Sequence, residues 1–122
     1  MKIKIVSLDA YNEKYEAIFD LKKGITESGI YYEYFDGNSK NIIYIEEEKV
    51  IIVRSGEIES KMLLIKAKES IFEYKNVYMN INMKLYTEKL DINKDGIETT
   101  YTLSDDNGII NKITMSIFEI IN

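Results

Sequence analysis

Val77-Tyr78-Met79-Asn80-Ile81-Asn82-Met83-Lys84-Leu85-Tyr86-Thr87 is the stretch that decides how this chain folds. Val77, Met79, Ile81, Met83 and Leu85 fall on one side, and Tyr78, Asn80, Asn82, Lys84 and Tyr86 on the other. Side chains alternate in this way only along an extended backbone, so the stretch predicts a half-buried antiparallel strand. Further along the chain, Ile97, Thr99, Tyr101 and Leu103 alternate with Glu98, Thr100 and Thr102. Ile113, Met115 and Ile117 do so with Lys112, Thr114 and Ser116. Towards the N-terminus, Tyr15, Ala17, Phe19 and Leu21 alternate with Lys14, Glu16, Ile18 and Asp20.

Between these runs stand residues that tolerate the backbone of tight turns. They are Lys23-Gly24, Ser28-Gly29, Asp36-Gly37-Asn38, Ser55-Gly56, Asp95-Gly96 and Asp105-Asp106-Asn107-Gly108. Asp-Gly and Asn-Gly accept the positive φ of hairpin turns. The spacing is too short for helical crossovers between parallel strands, so hairpins and a meander follow. Glu57–Glu69 is rich in helix formers, with Ile58, Met62 and Ile65 at helical spacing. It is nevertheless read as a strand, because a helix there would leave Lys49–Ser55 without a hairpin partner.

Some of these segments resemble a known family. Lys49-Val50-Ile51-Ile52-Val53-Arg54-Ser55-Gly56-Glu57, followed by Ser60-Lys61-Met62, is similar to the signature of the YwiB-like family. Tyr31-Tyr32-Glu33, Met79-Asn80-Ile81 through Thr87, and Tyr101-Thr102-Leu103 match further family strands in order, over roughly residues 13 to 120. The chain departs from the family at Tyr78-Met79, where a Gly is usual. The resemblance implies a lipocalin-like (calycin) β-barrel in an uncharacterised bacterial protein, and it brings no activity with it. The fold expected is therefore all-β: one domain over residues 1–122, an antiparallel up-and-down barrel of eight to ten strands. Closure removes the sheet edges that so Ile-rich a meander would otherwise expose.

The chain has 122 residues, with 16 Lys+Arg against 21 Asp+Glu, a net charge of −5. It has no Cys, His, Pro or Trp. Disulfide frameworks, Cys/His zinc sites and Ser-His-Asp triads are thereby excluded. Its Lys are scattered among carboxylates, which argues against holding a phosphate backbone, so no nucleic-acid partner is expected. No stretch approaches the roughly 18 to 20 apolar residues of a membrane helix, so no membrane partner is expected and the cytoplasm is the default location. No cofactor is implied. Asp91-x-Asn93-x-Asp95-Gly96 copies the first half of an EF-hand loop. Its twelfth position is Thr102 where a bidentate Glu is needed, so the stretch is read as a hairpin turn and no metal is assigned.

The main functional expectation is a non-catalytic structural or protein-interaction module with a filled barrel. The alternative is a carrier or sensor that takes a small apolar or amphipathic acid inside it. An enzyme without His or Cys would have to rely on carboxylates, Lys or Tyr. Glu27, Glu33, Glu73 and Glu88 are placed on strands and could face inward, but are read as solvated, and no catalytic residue is assigned. Under the ligand reading the site is Arg54 with Tyr32, Tyr34, Tyr74 and Tyr101. Arg54 is the chain's one arginine, at the end of an apolar strand, and its planar fork matches a carboxylate as Lys does not. The other expectation for Arg54 is an intrachain pair that braces the Ser55-Gly56 turn. Ile42–Ile45, Val50–Val53 and Met62–Ile65 are apolar on both faces. The outer face needs cover, from a homodimer or from Met1–Asp9 or Phe118–Asn122.

Overall fold

A computed structural model of the chain describes Met1–Ile120. Eleven strands form one antiparallel sheet: β1 Lys2–Asp9, β2 Lys14–Asp20, β3 Lys22–Ile25, β4 Gly29–Asp36, β5 Ser39–Glu46, β6 Lys49–Ser55, β7 Glu59–Ile65, β8 Glu69–Lys75, β9 Asn80–Asn93, β10 Gly96–Asp105 and β11 Gly108–Ile120. The ladder runs β2-β1-β11-β10-β9-β8-β7-β6-β5-β4-β3. Every neighbour except β1 with β11 is thus joined by a hairpin, which is the expected up-and-down meander. The two ends of the ladder, β2 and β3, are consecutive in the chain and meet at Leu21. They are two halves of one strand path: the first pairs with β1 and the second with β4. Counted so, the meander has ten positions, and the chain itself joins the two edges of a strongly curled, barrel-like sheet.

Alternation decides which side chains enter. Ile3 and Ile5, Tyr32 and Tyr34, Ile43 and Ile45, Met62 and Leu64, and Ile97, Tyr101 and Leu103 are buried members of one apolar cluster. β9 changes parity partway along. Glu88 is an extra residue between the pairs Thr87–Tyr101 and Lys89–Thr100, so the inward positions pass from Leu85 and Thr87 to Leu90 and Ile92. Such a bulge bends a strand and lets it follow the curl.

Glu57–Glu69 holds a strand and no helix, as expected: β7 over Glu59–Ile65, with turns at 57–58 and 66–68 and the start of β8 at Glu69. β7 pairs with β6 from Ser60 to Ile65. Lys23-Gly24 is not a turn. Gly24 lies inside β3, and a Cβ there would run into the ring of Tyr31 on β4, so the glycine seats an aromatic ring. Val77–Met79 lies in a turn, and its strand begins only at Asn80. Asn76 makes that turn: its side-chain oxygen accepts from the backbone N–H of Tyr78 at 2.8 Å and of Met79 at 3.0 Å. The EF-hand-like stretch is a hairpin. Asn93 pairs with Gly96 across residues 94–95, and Asp91 lies 3.4 Å from Lys89.

The described residues of the termini do not cover the outer sheet face. Residues 2–9 and 118–120 are themselves sheet strands, in β1 and β11. Ile121 and Asn122, the rest of the expected C-terminal cover, lie outside the described residues.

Candidate functional site

Strand direction alternates, so the connections sort to two ends. Residues 10–13, 37–38, 56–58, 76–79 and 106–107 lie at one end, and 26–28, 47–48, 66–68 and 94–95 at the other. Arg54 stands at the first end. It shares a face with Val50, which is fully buried, so its side chain is on the inward side of the sheet. Asn41 on β5 is its cross-strand neighbour, and Tyr34 on β4 is the neighbour of Asn41.

The guanidinium is poorly matched by the protein. Nη2 donates to Ser39 Oγ at 3.4 Å and lies 3.9 Å from Asp36 Oδ2. Nε is buried and has no partner among the described residues, and neither has the buried Nδ2 of Asn41. Arg54 therefore has no tight intrachain pair, although Asp36 is near enough to contribute charge. Burial pushes the Tyr34 phenol well above its ordinary value, with Tyr15 and Asp36 adding and Arg54 opposing. Burial also raises Tyr15, again with Asp36 adding and Arg54 opposing. Tyr34 stacks on Phe19 with ring centroids 4.8 Å apart.

Of the other expected residues, Tyr74 lies on the Arg54 side, two strands away through Ser60. Tyr101 sits in the core, where burial alone raises its phenol to about 12. Tyr32 serves a different cluster. Its hydroxyl donates to Glu119 Oε2 at 2.9 Å, and Lys23 Nζ lies 3.0 Å from the same oxygen. Burial, then the bond to Glu119, drives the Tyr32 phenol far up. The Glu119 side chain is only 4% exposed, on the inward face of Ile113, Met115 and Ile117. Sequence reasoning missed it, although the alternation of β11 leads directly to it.

The carboxylates weighed for catalysis stay outside. Glu33 faces away from Tyr32 and Tyr34 and lies 3.6 Å from Lys40. Glu73 alternates with the inward Phe72 and Tyr74. Glu88 accepts from Thr102 at 2.8 Å and pairs with Lys112 at 2.9 Å, chiefly the latter holding its carboxyl low. Glu27 is not on a strand as expected but in the exposed turn between β3 and β4.

Cavities flank the core rather than replace it. One of about 410 Å³ is lined by Val53, Lys61, Glu73 and Asn82, a cross-strand row on the outer side, and also by Arg54 and Tyr74. Another of about 320 Å³ lies at the Arg54 end against Ser7, Asp9, Tyr15 and Asn111. A third, about 590 Å³, lies at the opposite end against Glu47, Lys66, Leu90 and Ile92. No described helix is long and apolar enough to cross a membrane.

The two ends differ in surface. Tyr11, Val77, Tyr78 and Met79 in the turns of the Arg54 end, and Ile109 just after one, are exposed, Val77 and Tyr78 to 86% and 90%. The opposite turns read Thr-Glu-Ser, Glu-Glu, Lys-Ala-Lys and Lys-Asp, with Met1, Ile25, Tyr86 and Phe118 among the exposed apolar residues beside them.

No curated protein matches the chain. The crystal structure of the YwiB protein from Bacillus subtilis is similar, with a TM-score of 0.77 and 16% identity over 98% of this chain and 91% of that one. At that identity the likeness concerns the fold. The model of a domain of unknown function, DUF1934, matches residues 6–117. With the resemblance to the YwiB-like family thus borne out, the chain belongs to the DUF1934 family.

Proposed function

We propose that this protein is a non-catalytic interaction module, built on a lipocalin-like barrel, that works through its Arg54 end. The observation that carries the reading is the sorting of exposed apolar side chains. Tyr11, Val77, Tyr78, Met79 and Ile109 gather at the turns of one end, while the opposite turns are almost wholly charged or polar. Single exposed apolar residues are ordinary on soluble proteins, but grouping at one end marks a contact surface. The interior is occupied by one apolar cluster, which suits a scaffold for that surface. The alternative, a carrier or sensor for a small amphipathic acid, is favoured by the unmatched donors of Arg54 and Asn41. A homodimer over the outer face of β5–β7 belongs to the same proposal, since the chain's described ends do not cover that face.

Photo-crosslinking tests the polarity. A photoreactive residue replacing Tyr78 or Ile109 should give a discrete adduct in the cells that make the protein. One replacing Ile25 or Lys94 should give none. Equal labelling from both ends, or none from either, overturns the reading.

A further inference from the structure

We infer that Arg54 and Asn41 form a site for the carboxylate of a small amphipathic acid entering at the Arg54 end. The inference rests on that end being the working face, and it names the chemistry received there. Buried donors are almost always satisfied, so each exception calls for an account. Here two exceptions stand side by side. Asn41 is 4% exposed, and its Nδ2 has no acceptor; Arg54 Nε, on the neighbouring strand, has none either. Ser39 reaches Nη2 only at 3.4 Å, and Asp36 Oδ2 lies 3.9 Å away, beyond hydrogen-bond length.

One guanidinium edge and one amide match a planar group with two oxygens. A carboxylate accepts both and holds the fork bidentately. A phosphate dianion fits less well: Asp36 stands beside the fork, and Lys40 is turned to Glu33. The core fills the barrel beyond, so the acid's apolar body remains at the mouth, whose turns carry Tyr11, Val77 and Tyr78.

The chain has one arginine, so a ¹⁵N spectrum contains a single arginine Nε–H signal. Titration with octanoate should move that signal and the Asn41 side-chain amide together, while 1-octanol leaves both in place. Arg54→Lys should weaken octanoate binding about tenfold or more, because the fork is lost while the charge remains. Asn41→Asp supplies the acceptor from within the chain, so it should abolish octanoate binding and raise the thermal midpoint. An apolar peptide with a free C-terminus, compared with its amide, separates a chain end from a free acid. Shifts with that peptide but not with octanoate overturn the small-molecule assignment. Octanol acting as octanoate does, or neither octanoate nor the peptide moving either signal, overturns the site itself. Crosslinks from Tyr78 that persist in Arg54→Lys would keep the contact surface standing while the acid site falls.

Discussion

Glu119 shows how one inward carboxylate can close a fold. It belongs to β11, whereas Lys23 and Tyr32, which bind it, belong to β3 and β4. The cluster therefore ties the ladder's β3–β4 edge to a strand near its opposite edge. A buried carboxylate stripped of its partners, or a cation and hydroxyl stripped of theirs, leaves uncompensated polar groups. Glu119→Ala should cost about 3 to 5 kcal/mol. Tyr32→Phe, which removes only a hydrogen bond to a charged group, should cost about 1.5 to 3 kcal/mol. Urea denaturation with an unchanged m-value reads both, and a loss below about 1 kcal/mol for Glu119→Ala would sink the account. The inward direction of Glu119 is legible in the sequence, two residues past Ile117. Its role is not, because Lys23 and Tyr32 lie 96 and 87 residues away and only the closed sheet brings them near. Arg54 is the converse: its face and its end of the strand are legible, but its lack of a firm partner is not.

At the scale of elements, strands with a turn residue and clean alternation are legible, and interruptions are not. The break at Leu21 carries no Gly, Pro or Asn in β2. It arises because one strand path changes partner from β1 to β4, which is a property of the closed sheet. The Glu88 bulge is invisible for the same reason. The Asn76 turn hides behind Val77, Tyr78 and Met79, whose apolarity continues the strand pattern although they are turn residues. What the pattern does disclose is the two-faced apolarity of β5–β7. Tyr31, Tyr44, Ile51 and Leu63 form one cross-strand row on the outer side, with Ile42 and Val53 beside it. Charged Glu33 and Lys61 flank that second pair in the same row. An apolar centre with a polar rim is the layout of an isologous interface, in which the same patch meets itself about a two-fold axis. Sedimentation at micromolar concentration should therefore give twice the chain mass, and Ile51→Lys should give a folded monomer. A wild-type monomer unchanged on dilution would leave this face without a partner of its own kind.

Over the whole molecule, charge and burial set opposite limits on stability. Surface ties hold several carboxyls below their ordinary values. The backbone N–H of Glu13 does this chiefly for Asp9, Lys4 for Glu16, Lys2 for Asp20 and Lys112 for Glu88. A carboxyl whose pKa is lower in the folded state contributes stability above its unfolded pKa and loses it as pH falls through the folded one. The unfolded values are 3.8 for Asp and 4.5 for Glu, so the acid limb begins there. Tyr101 works in the other direction. Burial raises it from 10.0 to about 12, so its contribution is full below pH 10 and is lost as pH climbs towards 12. Tyr32 and Tyr34 shift the same way, also through burial. With no His and no Cys, no such side chain titrates in the neutral range between these limbs. The thermal midpoint should therefore be flat between about pH 5 and pH 9, falling on either side. Tyr101→Phe should make the alkaline fall less steep while leaving the acid limb alone. A midpoint that already declines between pH 7 and 9, or an alkaline limb indifferent to Tyr101→Phe, would mean that the buried phenols do not set the upper limit.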